Sequence, residues 1–182
     1  VKPAATLYGE WNYFNVKEPF PYDDTISYRL AAEWVAGRGL VEDWGCGTAW
    51  MRRYVGGLYR GVDGAWSRFA DVHADLRTYR SNVPCAVMRH VLEHNFDWRA
   101  IAANFTDSWH DRAALILFIP PQVEDLDVGG PEWPVPDLAI SGPDLFEIVG
   151  RHGTEIEVRE IFYPSQPEGT QWGWEAVLLM QR

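Results

Sequence analysis

Leu40-Val41-Glu42-Asp43-Trp44-Gly45-Cys46-Gly47-Thr48-Ala49 decides how this chain is read. A short apolar run leads into an acidic residue, then a glycine-rich turn, then residues suited to a helix start. Gly-x-Gly after a strand permits positive φ and close approach to the bare main chain. In an open α/β sheet, the crevice beyond the carboxyl ends of the strands is where ligands bind. The stretch therefore predicts a nucleoside-containing cofactor lying between the Asp43 carboxylate and the turn.

Two cofactor classes compete for that turn. A dinucleotide fingerprint, Gly-x-Gly-x-x-Gly, needs a third glycine for helix–strand packing, and here Trp50 occupies that place. No Gly-x-x-x-x-Gly-Lys-Ser/Thr phosphate loop is present. A carboxylate just before the turn suits a cationic group better than a phosphate, which favours the ammonium and sulfonium of S-adenosylmethionine over NAD. Asp63 stands 20 positions after Asp43, about where a ribose-binding acid also stands in dinucleotide folds. Its position says ribose without saying which cofactor.

With these residues assembled, the chain resembles the class I S-adenosylmethionine-dependent methyltransferases from about Ala31 to its C-terminus. The acid before Gly-x-Gly is matched by Asp43, Gly45, Cys46 and Gly47, and the acid ending the second strand by Tyr59-Arg60-Gly61-Val62-Asp63-Gly64. By the same resemblance, Ala70-Asp71-Val72-His73-Ala74-Asp75-Leu76 supplies the adenine turn, with Asp75 accepting from the adenine amino group and Leu76 beside the ring. Cys85-Ala86-Val87-Met88-Arg89-His90-Val91-Leu92-Glu93-His94 is similar to the family's run after strand four. It implies that Met88, Arg89 and His90 line the methionine end of the cofactor and the acceptor entrance. The chain departs from the family at Ala49, where a third glycine is common. It also lacks the Asn/Asp-Pro-Pro-Tyr/Phe motif of enzymes that methylate exocyclic amines or a glutamine amide. Ile119-Pro120-Pro121-Gln122 has part of that pattern but follows the fifth strand.

The resemblance implies a Rossmann-like doubly wound α/β sheet of seven strands, mostly parallel with a C-terminal antiparallel hairpin. The strands are expected near 40–44, 58–63, 71–74, 84–89, 113–119, 154–163 and 172–180, with helices near 25–36, 48–55, 97–107 and from Ser141 onward. Ala113 to Ile119 is a continuous apolar run, as in strands buried on both faces. Ser141-Gly142-Pro143-Asp144 offers an N-cap and an early Pro. A single domain over 1–182 is expected, with 1–22 as an aromatic-rich arm and 120–140 as a substrate-side loop. That loop holds five prolines, and loops of its length in compact domains are usually functional.

Composition narrows the function. At 182 residues the chain is long enough for one substantial core. A formal charge of −10 opposes broad nucleic-acid binding, although Arg52, Arg53, Arg60 and Arg68 could form a local basic patch. No apolar run approaches the ~20 residues of a membrane span. The first residues lack the apolar run and cleavage site of a secretory leader. Two cysteines without metal-type spacing complete the expectation of a reducing, cytoplasmic setting. Ten tryptophans are expected mostly in the core, with Trp11, Trp50, Trp133 and Trp172 as stacking candidates.

Methyl transfer needs alignment of donor and acceptor and no metal. A neutral oxygen or amine acceptor also gains from a base, for which His at near-neutral pKa suits best. His90 is the candidate base, set against the alternative of a histidine bonded to a loop carbonyl. His90, Glu93 and His94 share i+3 and i+4 spacing, but a metal site is not expected there. Tyr13, His94 and Trp133 are candidate substrate contacts. The expected reaction carries a methyl group to an O or N atom of a small-molecule acceptor and leaves S-adenosylhomocysteine. Protein or nucleic-acid acceptors, or a methyltransferase fold used for binding without turnover, remain the alternatives.

Overall fold

The computed structural model describes residues 13, 15–21, 25–129, 135–163 and 173–182. Nine strands and four α-helices occur among them. These are α1 (Ile26–Val35), β1 (Val41–Trp44), α2 (Arg52–Val55), β2 (Tyr59–Asp63), β3 (Val72–His73), β4 (Val83–Arg89), α3 (Trp98–Asp107), β5 (Trp109–Leu117), β6 (Leu126–Asp127), β7 (Leu138–Ala139), α4 (Gly142–Val149), β8 (Glu155–Phe162) and β9 (Trp174–Gln181).

Seven strands form one sheet in the order β3-β2-β1-β4-β5-β9-β8. The first five are parallel, and β9 pairs antiparallel with both β5 and β8. The doubly wound sheet with a C-terminal antiparallel hairpin is therefore present as expected. The chain order reverses between β1 and β4, which leaves a crevice above their carboxyl ends.

Side-chain alternation along the strands builds two apolar layers. Val41, Cys85, Val87, Ala114, Ile116, Val177 and Leu179 face α1 and α2, meeting Tyr28, Ala31, Ala32 and Val35. Trp44, Ala86, Met88, Ala113, Leu115, Leu117, Leu178 and Met180 face the opposite side, against Trp98, Ile101, Phe105, Leu145 and Val149 of α3 and α4. Trp44, Trp98 and Trp109 are fully buried. Their large area is what so short a chain needs for a stable core.

Several expected boundaries move. β5 starts at Trp109, four residues before the apolar run, because Trp109 pairs with Val83 across the ladder. The helix expected from residue 48 begins only at Arg52, because left-handed Ala49 interrupts helical backbone. β9 lies inside the sheet, and only β8 forms its edge. Ser141 caps α4 through Asp144 N at 3.3 Å, with Pro143 in the first turn. Thr25, before α1, makes no side-chain capping bond. Within the 120–140 loop, β6 and β7 form a two-stranded antiparallel ladder. Its residues 130–134 lie outside the described set.

Both cysteines are buried and free. Of the arginines considered for a basic patch, Arg52 pairs with Asp71 and Arg60 with Glu42, both at 2.7 Å. No helix among the described residues is long and apolar enough to cross a membrane.

Candidate active site

The glycine turn joins β1 to α2 and is tied to β2. Gly45 N and Cys46 N both donate to Val62 O, at 2.8 and 3.2 Å. Gly45 has φ 74, and a Cβ there would lie 2.3 Å from Cγ2 of Val91. The close approach that demands glycine is therefore made by the segment after β4. Gly47 and Ala49 are also left-handed, at φ 52 and 56. Ala49 occupies the position where a third glycine is common, and L-residues resist that backbone by about 1–2 kcal/mol. Cys46 fills space beneath the turn, close enough to β2 that a Cβ on Gly61 would meet its Sγ at 2.9 Å.

Two of the three expected carboxylates converge. Asp43 sits near the end of β1 on the α1 face, with its Oδ2 accepting from the Tyr59 hydroxyl at 2.6 Å. Its Oδ1 has no hydrogen-bond partner among the described residues. Burial is the main reason its pKa rises to about 7, with the nearby Asp63 charge adding to that rise and Tyr59, Arg52 and Arg89 opposing it. Asp63 ends β2 and accepts from Gly47 N at 2.6 Å and Ala65 N at 2.7 Å. It therefore locks the glycine turn to the segment beginning at Gly64. Burial raises its pKa as well, against those two amide bonds.

Asp75 does not join them. Arg77 grips both of its oxygens, through Nε and through Nη2 at 2.6 Å, and also bonds Asp97 at 3.0 Å. These bonds hold the Asp75 carboxyl below the usual range. Leu76 is 2% exposed within the core, and Met88 is 0% exposed there. Alternation along β4 turns Met88 onto the α3 face, and Leu76, in the turn after β3, packs into the same core cluster.

The described part of the N-terminal arm lies against the turn. Thr48 Oγ1 donates to Phe20 O at 2.7 Å and accepts from Phe20 N at 3.2 Å. Tyr13 N donates to Trp66 O, and the Trp66 ring stacks on His73 with centroids 5.3 Å apart. Tyr13 thus reaches the region after β2. Trp133, like Trp11 and Trp172, lies outside the described residues.

A second polar cluster sits at the ends of β4 and β9. The buried Arg89 guanidinium donates to Ser27 Oγ at 3.1 Å, Tyr28 Oη at 3.2 Å and Glu175 Oε1 at 2.6 Å. His90 has φ 54, another left-handed position. Its Nε2 lies 2.7 Å from the same Glu175 oxygen, and its ring packs 4.7 Å from Phe118. Burial and the adjacent Arg89 charge push the His90 pKa down to about 3. Burial opposes ionisation of Glu175, but the His90 bond and the Arg89 charge prevail and hold its pKa at about 2.

The neighbouring pair takes different roles. His94 sits on the other side of Phe118 and reaches Pro136 O and Asp137 Oδ1, each at 3.1 Å. It ties the 120–140 loop to the end of β4, and Asp137 raises its pKa against burial. Glu93 is buried with Oε1 accepting from Phe118 N at 2.7 Å. Among the described residues no cluster of three metal-ligating side chains occurs.

Sequence reading missed Tyr59, Glu175, Tyr163 and Ser27 as parts of this site. Glu175 opens the last strand, 85 residues from His90, and only sheet pairing brings it to the crevice. Its one sequence signal is an acid inside Trp174-Glu175-Ala176-Val177-Leu178-Leu179-Met180, an apolar run destined for burial.

No family model matches the sequence, and no curated protein matches it either. Solved structures do. An S-adenosylmethionine-dependent methyltransferase from Mesorhizobium loti aligns with a TM-score of 0.56 at 16% identity, over 84% of this chain and 98% of that one. The 1,6-didemethyltoxoflavin-N1-methyltransferase of Burkholderia thailandensis aligns at 0.63 and 16%, over 87% and 79%. The cyclase SpnF aligns at 0.61 and 14%, over 94% and 86%. By these alignments, the chain has the fold of the class I S-adenosylmethionine-dependent methyltransferases.

Proposed function

We propose that this protein is an S-adenosylmethionine-dependent methyltransferase acting on a small-molecule acceptor. The observation that carries the reading is Asp43: a buried carboxyl with one open oxygen, at the lip of a left-handed glycine turn that Asp63 braces. Burying such a group costs stability unless it is paired, and a cationic ligand supplies the pairing. The structural neighbour from Burkholderia thailandensis has 1,6-didemethyltoxoflavin and S-adenosylhomocysteine bound, which supports the same cofactor and a small-molecule acceptor here.

In this reading Asp43 and the backbone of Gly45, Cys46 and Gly47 hold the methionine end. Asp63 and the backbone at Gly64 hold the ribose. Adenine lies toward Asp75, whose carboxylate must then be shared with Arg77, and the backbone of Leu76. The acceptor enters between the Tyr13 arm, His90 and the loop that His94 anchors, with Trp133 on the same loop. The cofactor supplies an electrophilic methyl group on a sulfonium. The residues align the acceptor with it, and such orientation is worth up to ~7–11 kcal/mol in model reactions.

Calorimetric titration with S-adenosylmethionine and S-adenosylhomocysteine tests this reading. We expect binding of both, and no heat from either at millimolar concentration would reject it. Labelled-donor transfer to a metabolite extract then separates an enzyme from a binding protein built on the same fold.

A further inference from the structure

Among the described residues, His90 and Glu175 make no hydrogen bond to Asp43, Asp63 or the glycine turn. Glu175 receives three donors from three parts of the chain: Arg89 on β4, His90 just beyond it, and the Tyr163 hydroxyl following β8, which bonds Oε2. A carboxylate at about pKa 2 is an acceptor only, so His90 must donate through Nε2–H. A neutral imidazole carries one ring proton. The proton on Nε2 therefore leaves Nδ1 as a bare acceptor, and among the described residues nothing bonds to it. The ring is fixed from both sides, by Glu175 at Nε2 and by Phe118 against its face. Its left-handed backbone is strain of the kind that gathers at functional sites.

We propose that Glu175 is the positioning residue for a base at His90, locking the tautomer that presents Nδ1 to an acceptor hydroxyl. The inference rests on the methyltransferase reading for its reaction. A neutral amine already has the lone pair it needs for attack. A hydroxyl is a weak nucleophile until its proton has somewhere to go. The acceptor oxygen forms its bond to the methyl carbon while the carbon–sulfur bond breaks and leaves its electron pair on sulfur. The hydroxyl proton passes to Nδ1, and the positive charge lost at sulfur reappears on the imidazolium beside the Glu175 carboxylate. Charge and protons balance without any further reactant. Tyr163 and Arg89 act through Glu175, holding its oxygens in place.

Nitrogen-15 NMR of the His90 ring in the intact, unsubstituted protein tests the inference without needing turnover. The groups facing His90 are Arg89 on its own strand, Glu175 from β9, Tyr163 after β8 and His94 across Phe118. We expect a neutral ring protonated at Nε2 throughout pH 5–8. In Glu175→Ala the acceptor for Nε2–H is gone, so the Nδ1-protonated form should appear. Glu175→Gln keeps an oxygen where Arg89 and His90 both donate and should keep the Nε2-protonated form. S-adenosylhomocysteine should still bind both variants, because Glu175 makes no hydrogen bond to Asp43, Asp63 or the glycine turn. An Nδ1-protonated ring in the unsubstituted protein or in Glu175→Gln, or an unchanged tautomer in Glu175→Ala, overturns the proposal. An O-methylated product from a labelled extract supports the hydroxyl assignment, and an N-methylated product or none overturns it. Loss of cofactor binding in calorimetry would reject the methyltransferase reading instead, and leave the tautomer result standing.

Discussion

Replacing Asp43 by Asn should make the empty protein more stable and the ligand-binding protein worse. Asp43 has its carboxyl pKa raised from 3.8 to about 7, chiefly by burial. Every tenfold change in proton affinity between the folded and unfolded states corresponds to about 1.4 kcal/mol. Because the folded pKa lies above the unfolded one, the folded state holds the extra proton between about pH 4 and 7. Stability from this group is complete below pH 4 and declines as pH rises through 7. Linkage sets the loss at about 2 kcal/mol by pH 5 and about 4 kcal/mol by pH 8, as orders of magnitude. Asn can still accept the Tyr59 hydroxyl but has nothing to ionise. Denaturant titrations of both proteins at pH 5 and pH 8 should thus show the unsubstituted chain losing about 2–3 kcal/mol relative to Asp43→Asn across that interval. S-adenosylmethionine should bind the unsubstituted protein about tenfold more weakly at pH 6 than at pH 8, because only the ionised carboxylate attracts the cation. The variant should bind weakly at both. A stability difference that is flat in pH would show that Asp43 ionises normally and that burial does not govern it.

Other substitutions test the turn and its supports. Gly45→Ala should cost about 2–4 kcal/mol in denaturant unfolding, since a Cβ would sit 2.3 Å from Val91 on left-handed backbone. Val91→Ala in the same chain should recover part of that loss, and no coupling between the two would contradict the contact. Ala49→Gly should raise stability by up to about 1 kcal/mol, as relief of the left-handed strain outweighs the greater freedom of the unfolded chain. Asp63→Ala should cost about 3–5 kcal/mol, because the buried amides of Gly47 and Ala65 both lose their acceptor. Hydrogen exchange at those two amides should then speed up, and unchanged protection would refute the brace. Ser141→Ala should lower the melting temperature through loss of about 1 kcal/mol of capping.

The strand–turn stretch at 40–49 carried the fold because its information is local. An apolar strand, an acid and glycines with positive φ are properties of consecutive residues, and backbone sterics act at that range. The apolar run before Pro120, the Ser141 cap and the closing pair of strands were legible for the same reason. Asp43 and Asp63 could be placed at strand tips from spacing alone. Which way a side chain points was not local. Met88 and Leu76 sit at the expected positions in the chain, yet the two-residue alternation of β4 and the packing of the loop after β3 turn both into the core. Asp75 was read as open to a ligand, but Arg77 two residues on closes over it. The Glu175–His90 contact needs β9 to insert antiparallel beside β5, and the acid and histidine that meet there are far apart along the chain. Sequence by itself determined the order of elements and the place of the glycine turn. Tertiary structure alone decided which carboxyls are buried, what they hold and what His90 contacts, because those depend on long-range pairing of the sheet.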